Sequence, residues 1–117
     1  MTKVTAQMSI SLDGCYAGRK HSDPAGWISG YPLASEASLL IHDGQYTADE
    51  YVGTRGWGHS TVDDAIAFAR RAEAARLALF HHDPTHDDAR LDEIGARVGE
   101  TADADVFVAR ERDVFEL

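Results

Sequence analysis

Three short apolar runs, set apart by helix-length segments, constrain this chain more than any other feature. They are residues 37–42 (Ala-Ser-Leu-Leu-Ile-His), 76–81 (Arg-Leu-Ala-Leu-Phe-His) and 105–109 (Asp-Val-Phe-Val-Ala). Continuous apolar runs of this length suit strands buried on both faces. The spacing predicts a helix over 61–75, where Val62, Ala65, Ile66 and Ala69 recur at i, i+3, i+4 and i+7. Ser60 is its expected N-cap, and Asp63 and Asp64 complement the positive helix end. A second helix is predicted over 87–98, with Leu91, Ile94 and Val98 on one face and Thr85 or Asp87 as cap. Gly95 weakens it somewhat. Strands alternating with helices imply an α/β fold with a mostly parallel sheet, the two helices covering one face.

The remaining segments fill in this frame. Residues 3–12 alternate Val4, Ala6, Met8, Ile10 and Leu12 with polar residues, which reads as an N-terminal strand ending at Asp13-Gly14. Residues 18–30, with Pro24, Gly26 and Trp27, read as loop, and Tyr31-Pro32 continues the break. Residues 45–59 read as irregular, because Gly53, Gly56 and Gly58 are spaced through them. Residues 113–117 (Asp-Val-Phe-Glu-Leu) read as a last strand after a turn at 110–112.

At 117 residues, 44% apolar and 26% charged, the chain has the makings of one globular domain. Eleven Lys and Arg against twenty Asp and Glu leave a net charge of −9, which argues against general nucleic-acid or anionic-membrane binding. No apolar run is long enough to span a bilayer, and Met1-Thr2-Lys3 opens no signal-peptide pattern. Cys15 has no second cysteine to pair with, so a reducing cytoplasm is the expected setting.

Five of six histidines lie between residues 42 and 86. His42-Asp43 closes one predicted strand, His81-His82-Asp83 closes the next, and His59 stands just before the capped helix. Neighbouring parallel strands end on the same sheet edge, where α/β folds place their sites. Asp43, His59 and His81 are therefore expected to converge. Imidazole and carboxylate together suit zinc, manganese or iron. The plainer reading of His82 and His86 is solvated loop residues.

Residues from about 35 to 117 resemble the C-terminal half of a metallo-β-lactamase-fold hydrolase, in its ribonuclease Z-like branch. The resemblance is carried by residues 39–47 (LLIHDGQYT), 56–61 (GWGHST) and 77–84 (LALFHHDP), in that order. It implies that Asp43 bridges two metal ions. It implies that His81 ligates the second metal, with His82 as the alternative register. It implies that His59 is a general acid near the leaving group in ester or phosphodiester hydrolysis. It also implies a fold that is half of an αββα sandwich. The sheet face turned away from the helices would then carry some of Leu39, Ile41, Leu77, Leu79, Val106 and Val108. A homodimer pairing two such faces is the expected way to cover it.

The chain departs from that family's pattern. It has no His-x-His-x-Asp-His motif and no separate middle histidine, and His21-Ser22-Asp23 does not replace them. Residues 4–18 resemble instead the opening strand of dihydrofolate-reductase-like domains from riboflavin biosynthesis, although no Gly-x-Gly-x-x-Gly follows. The chain thus reads as a join of two family fragments with a seam near residues 31–35. Three functions remain open: a metal-dependent hydrolase, a non-catalytic dimeric fragment with relic ligands, and an NADPH-binding reductase-like module.

Overall fold

The computed structural model describes residues 4–7, 34–101 and 105–117. Four strands form one sheet in chain order: β1 (Val4–Gln7), β2 (Leu39–Asp43), β3 (Arg76–Phe80) and β4 (Asp105–Val108). Every pairing is parallel. Helix α1 (Ala48–Thr54) follows β2, α2 (Val62–Arg71) leads into β3, and α3 (Asp88–Thr101) joins β3 to β4. The predicted loop over 18–30, Cys15, the histidine at 21 and most of the proposed seam lie outside the described residues, as does the predicted strand beyond Gln7.

Alternation along the strands sorts their side chains into two sets. Register pairs Leu40 with Leu77, and Leu77 with Val106; Leu79 pairs with Val108. These five residues join Val62, Ala65, Phe68 and Ala69 of α2 and Ile94 and Val98 of α3 in one buried core. Both long helices therefore cover the same face, as the crossover argument predicts. Of the six residues from which the face away from the helices was expected to draw, Leu77, Leu79, Val106 and Val108 lie on the helix face instead. The register separates them: Leu39 and Ile41 share the opposite face with Ala78, Phe80 and Phe107.

Two expectations are corrected. Residues 113–117 are not a strand. The Asp113 N–H donates to the Arg110 carbonyl at 3.2 Å, and the Arg110 N–H to the Asp113 carboxylate at 2.8 Å, so the chain reverses. It returns across the sheet rather than along its edge. There Phe115 packs on Phe107 with centroids 4.6 Å apart, and the Arg76 guanidinium lies over both rings. Residues 45–59 are likewise not wholly irregular, because α1 forms within them. Its signature is Thr47-Ala48-Asp49-Glu50, in which the Glu50 carboxylate accepts from the Thr47 N–H at 2.7 Å.

Helix starts shift by one residue or resolve an alternative. Thr61, not Ser60, caps α2, its hydroxyl accepting from the Asp64 N–H at 3.0 Å. Asp87 rather than Thr85 serves α3, accepting from the Arg90 N–H at 2.8 Å. Among the described residues, no helix is long and apolar enough to cross a membrane.

Candidate metal centre

The site stands at the C-terminal edge of β2 and β3. Asp43 is the last residue of β2 and is buried. Gly44 follows because the backbone there runs close over Leu79: a Cβ at this position would sit 3.0 Å from the Leu79 Cδ2. The Gly44 N–H donates to the Phe80 carbonyl at 3.0 Å, extending the ladder one residue past the strand.

His59 arrives from α1 by way of Gly56 and Gly58, both at positive φ (84° and 92°). That conformation is open to glycine and strained for most other residues. A short parallel bridge between Tyr46 and Thr61 then fixes the returning chain. The Tyr46 N–H donates to the Ser60 carbonyl, and the Val62 N–H to the Tyr46 carbonyl. This pairing sets His59 and Ser60 opposite Asp43. The edge of the Tyr46 ring meets His59 with centroids 6.2 Å apart.

His81 is the residue after β3 and has φ +59°, in the left-handed region that non-glycine residues seldom enter, histidine being among those that do. Its ring stacks on His59 with centroids 4.7 Å apart. Asp43, His59 and His81 thus come together as expected, with one ligand atom of each within 4.8 Å of the others.

The two oxygens of Asp43 have different duties. Oδ2 accepts from the Ser60 N–H at 3.0 Å and from the His59 Nδ1 at 3.1 Å. A carboxylate only accepts, so the hydrogen is on Nδ1 of His59 and its Nε2 is left to exchange a proton. Oδ1 is buried and has no hydrogen-bond partner. Nδ1 of His81 stands 3.6 Å from it, too far for a hydrogen bond. An oxygen and a nitrogen each about 2.1 Å from one ion at a tetrahedral angle are about 3.4 Å apart. The donor types, the unpartnered Oδ1 and this spacing fit a cation held by Asp43 and His81.

The neighbouring histidines are not part of this cluster. His82 lines a separate cleft of about 630 Å³ with Asp88, Leu91, Asp92, Ala109, Arg110 and Glu111, and burial pushes its pKa below the ordinary histidine value. His42 points to the helix face, where its ring meets Phe68 at 5.2 Å and its Nδ1 lies 2.8 Å from the Asp43 carbonyl. Burial lowers its pKa. His86 is no solvated loop residue: its side chain is 4% exposed and its Nε2 lies 2.9 Å from Glu50.

Sequence reasoning missed the backbone donor of Ser60 and the ties that hold the two loops. The Gln45 amide reaches Asp83 at 3.4 Å, and the Asp83 carboxylate also accepts from the N–H and hydroxyl of Thr85. These bonds, the largest being those from Thr85, lower the pKa of Asp83. Asp-Pro-Thr is a readable turn signal for this loop, whereas nothing local marks Gln45 as its partner.

No protein-family model matches the chain. Ribonuclease Z from Thermococcus gammatolerans is 53% identical over 50 residues, which are 42% of this chain and 15% of that protein. Ribonuclease Z from Salinibacter ruber is 40% identical over 76 residues, covering 65% of this chain and 24% of that protein. For Halalkalibacterium halodurans the figures are 33% over 86 residues, 74% and 27%. The chain therefore spans about a quarter or less of the length of these relatives. Among solved structures, the short form of human tRNase Z superposes with a TM-score of 0.55 at 28% identity, over 74% of this chain and 27% of that one. The metallo-beta-lactamase fold protein YhfI from Bacillus subtilis superposes with a TM-score of 0.57 at 24% identity, over 74% of this chain and 34% of that one, a likeness of fold. The greater part of this chain is a piece of the metallo-β-lactamase fold, and its sequence is similar to that of the ribonuclease Z-like branch of that fold.

Proposed function

We propose that this chain takes part in metal-dependent hydrolysis of an ester or phosphodiester, with Asp43 and His81 as metal ligands and His59 as the proton donor to the leaving group. The supporting observation is the division of labour at Asp43. One oxygen orients His59, and the other is buried, unpartnered and turned toward His81.

Zinc, manganese or iron suits this donor set. When bound, such an ion polarises the scissile group and stabilises the charge that develops on it. The chain's own residues do the rest. In its doubly protonated form His59 keeps its Nδ1–H on Asp43, so its Nε2–H faces the leaving group and is the proton given up there, leaving the neutral ring. The Ser60 N–H keeps the carboxylate from rotating as His59 changes charge. The stacked ring of His81 limits His59 to one plane.

Chromogenic phosphodiester hydrolysis measured with added zinc or manganese tests this reading. The wild type is expected to turn over in a metal-dependent way, and His59→Ala to lose about 10²- to 10⁴-fold in rate. Turnover that persists unchanged in His59→Ala would contradict the assignment.

A second reading rests on one fact of the sequence: the chain has no His-x-His-x-Asp-His motif, so these three residues are a partial ligand set. In that reading they are relics in a folded, non-catalytic piece. The same assay separates the two, since relics give no metal-dependent turnover at all.

A further inference from the structure

We propose that His86 is a positioning residue for His81: through Glu50 it ties the loop after β3 to the segment after β2, and so fixes the direction in which His81 faces Asp43. The effect on metal affinity rests on the metal-centre reading above; the effect on the geometry of His81 does not.

His81 has little to hold it directly. It lies past the end of β3, its side chain is half exposed, and its backbone is in the left-handed region. Apart from Asp43 at 3.6 Å, its ring contacts are with two neighbouring rings, His59 and Phe80. Its place therefore depends on the rest of its loop.

That loop is compact and anchored at its far end. The His86 N–H donates to the Asp83 carbonyl at 2.9 Å, and Asp83 closes a tight turn on Thr85. His86 then buries its ring and places Nε2 2.9 Å from the Glu50 Oε1. Glu50 is fixed in turn: its Oε2 accepts from the Thr47 N–H, and Arg90 of α3 stands 3.6 Å from its Oε1. The segment from Asp43 to Glu50 and the loop from His81 to His86 are thus tied at their far ends, by Glu50 against His86. Gln45 and Asp83 add a link between them.

The chemistry of His86 argues for the clamp rather than for packing. A carboxylate acceptor places the hydrogen on Nε2, which leaves Nδ1 as a lone pair. That Nδ1 is buried and has no hydrogen-bond partner. An unpaired buried nitrogen costs stability that a ring without nitrogen would not. What only the histidine supplies here is the bond to Glu50.

The test uses the full chain without metal and then with zinc. In the metal-free protein the stacked rings of His59 and His81 should give an NMR cross-peak between their ring protons. In His86→Phe and in Glu50→Ala the cross-peak is expected to vanish. Zinc affinity, read by competition with a chelator, is expected to fall about 10- to 100-fold. His86→Gln, which keeps an amide donor near the place of Nε2, is expected to restore both. Retention of the cross-peak in Glu50→Ala, which leaves the core intact, would overturn the proposal whatever His86→Phe does. A wild type that binds no zinc but loses the cross-peak in the variants would refute the metal reading and leave the clamp standing.

Discussion

At the scale of single residues, Asp43 is where fold and site meet. Its position at the end of a buried strand removes it from water, and a buried carboxylate needs compensation. Oδ2 has two donors and Oδ1 has none, and that asymmetry carries the functional reading. The convergence of Asp43, His59 and His81 was legible in the sequence, because parallel neighbours must end on one edge. The role of Ser60 was not, because a backbone donor leaves no trace in residue type. His86 was misread for a related reason: its partner Glu50 stands on α1, a helix the glycines of residues 45–59 concealed. Beneath the site, Phe68 fills the space between α2 and the sheet at 2% exposure and packs on His42. Phe68→Ala is expected to cost about 3–5 kcal/mol of stability, as core phenylalanines do. Chemical denaturation of the metal-free chain measures it.

At the scale of elements, the site is built by connections rather than by strands. The strand runs 37–42, 76–81 and 105–109 all formed within two residues of their predicted ends, since continuous apolar runs admit few alternatives. The last run, 113–117, has the same composition but follows a turn closed by Arg110 and Asp113. Its phenylalanine finds Phe107 across the face instead of an edge partner. Helix α1 buries none of its own residues, so its place depends on the polar bonds of Glu50. Burial opposes ionisation of Glu50, but the bonds from Thr47 and His86 outweigh it and hold the carboxyl below its usual pKa. A carboxyl with a depressed folded-state pKa contributes stability above its unfolded pKa and loses it as pH falls through the folded one. Glu50→Gln should therefore lower the thermal midpoint at about pH 7, and the gap from wild type should narrow as pH falls below the ordinary glutamate range. A gap that stays constant across that fall in pH would rule out the ionised form as the one that holds α1.

At the scale of the whole molecule, two helices on one face of a four-stranded parallel sheet leave the other face to Leu39, Ile41, Ala78, Phe80 and Phe107. Metallo-β-lactamase-fold structures superpose on 74% of this chain, which spans only 27% and 34% of theirs. The strand order and the helix face were readable from hydrophobic spacing. Which apolar residues faced the helices was not, because continuous runs such as 39–41 carry no alternation to assign a side. The central claim is that the edge of this sheet holds a metal ion through Asp43 and His81. Elemental analysis of untagged chain expressed with supplemented zinc, manganese and iron tests it most directly. The account predicts near-stoichiometric metal in the wild type, and about a tenth of an equivalent or less in Asp43→Ala and His81→Ala. Metal at that same trace level in the wild type, or full retention in both variants, would contradict it.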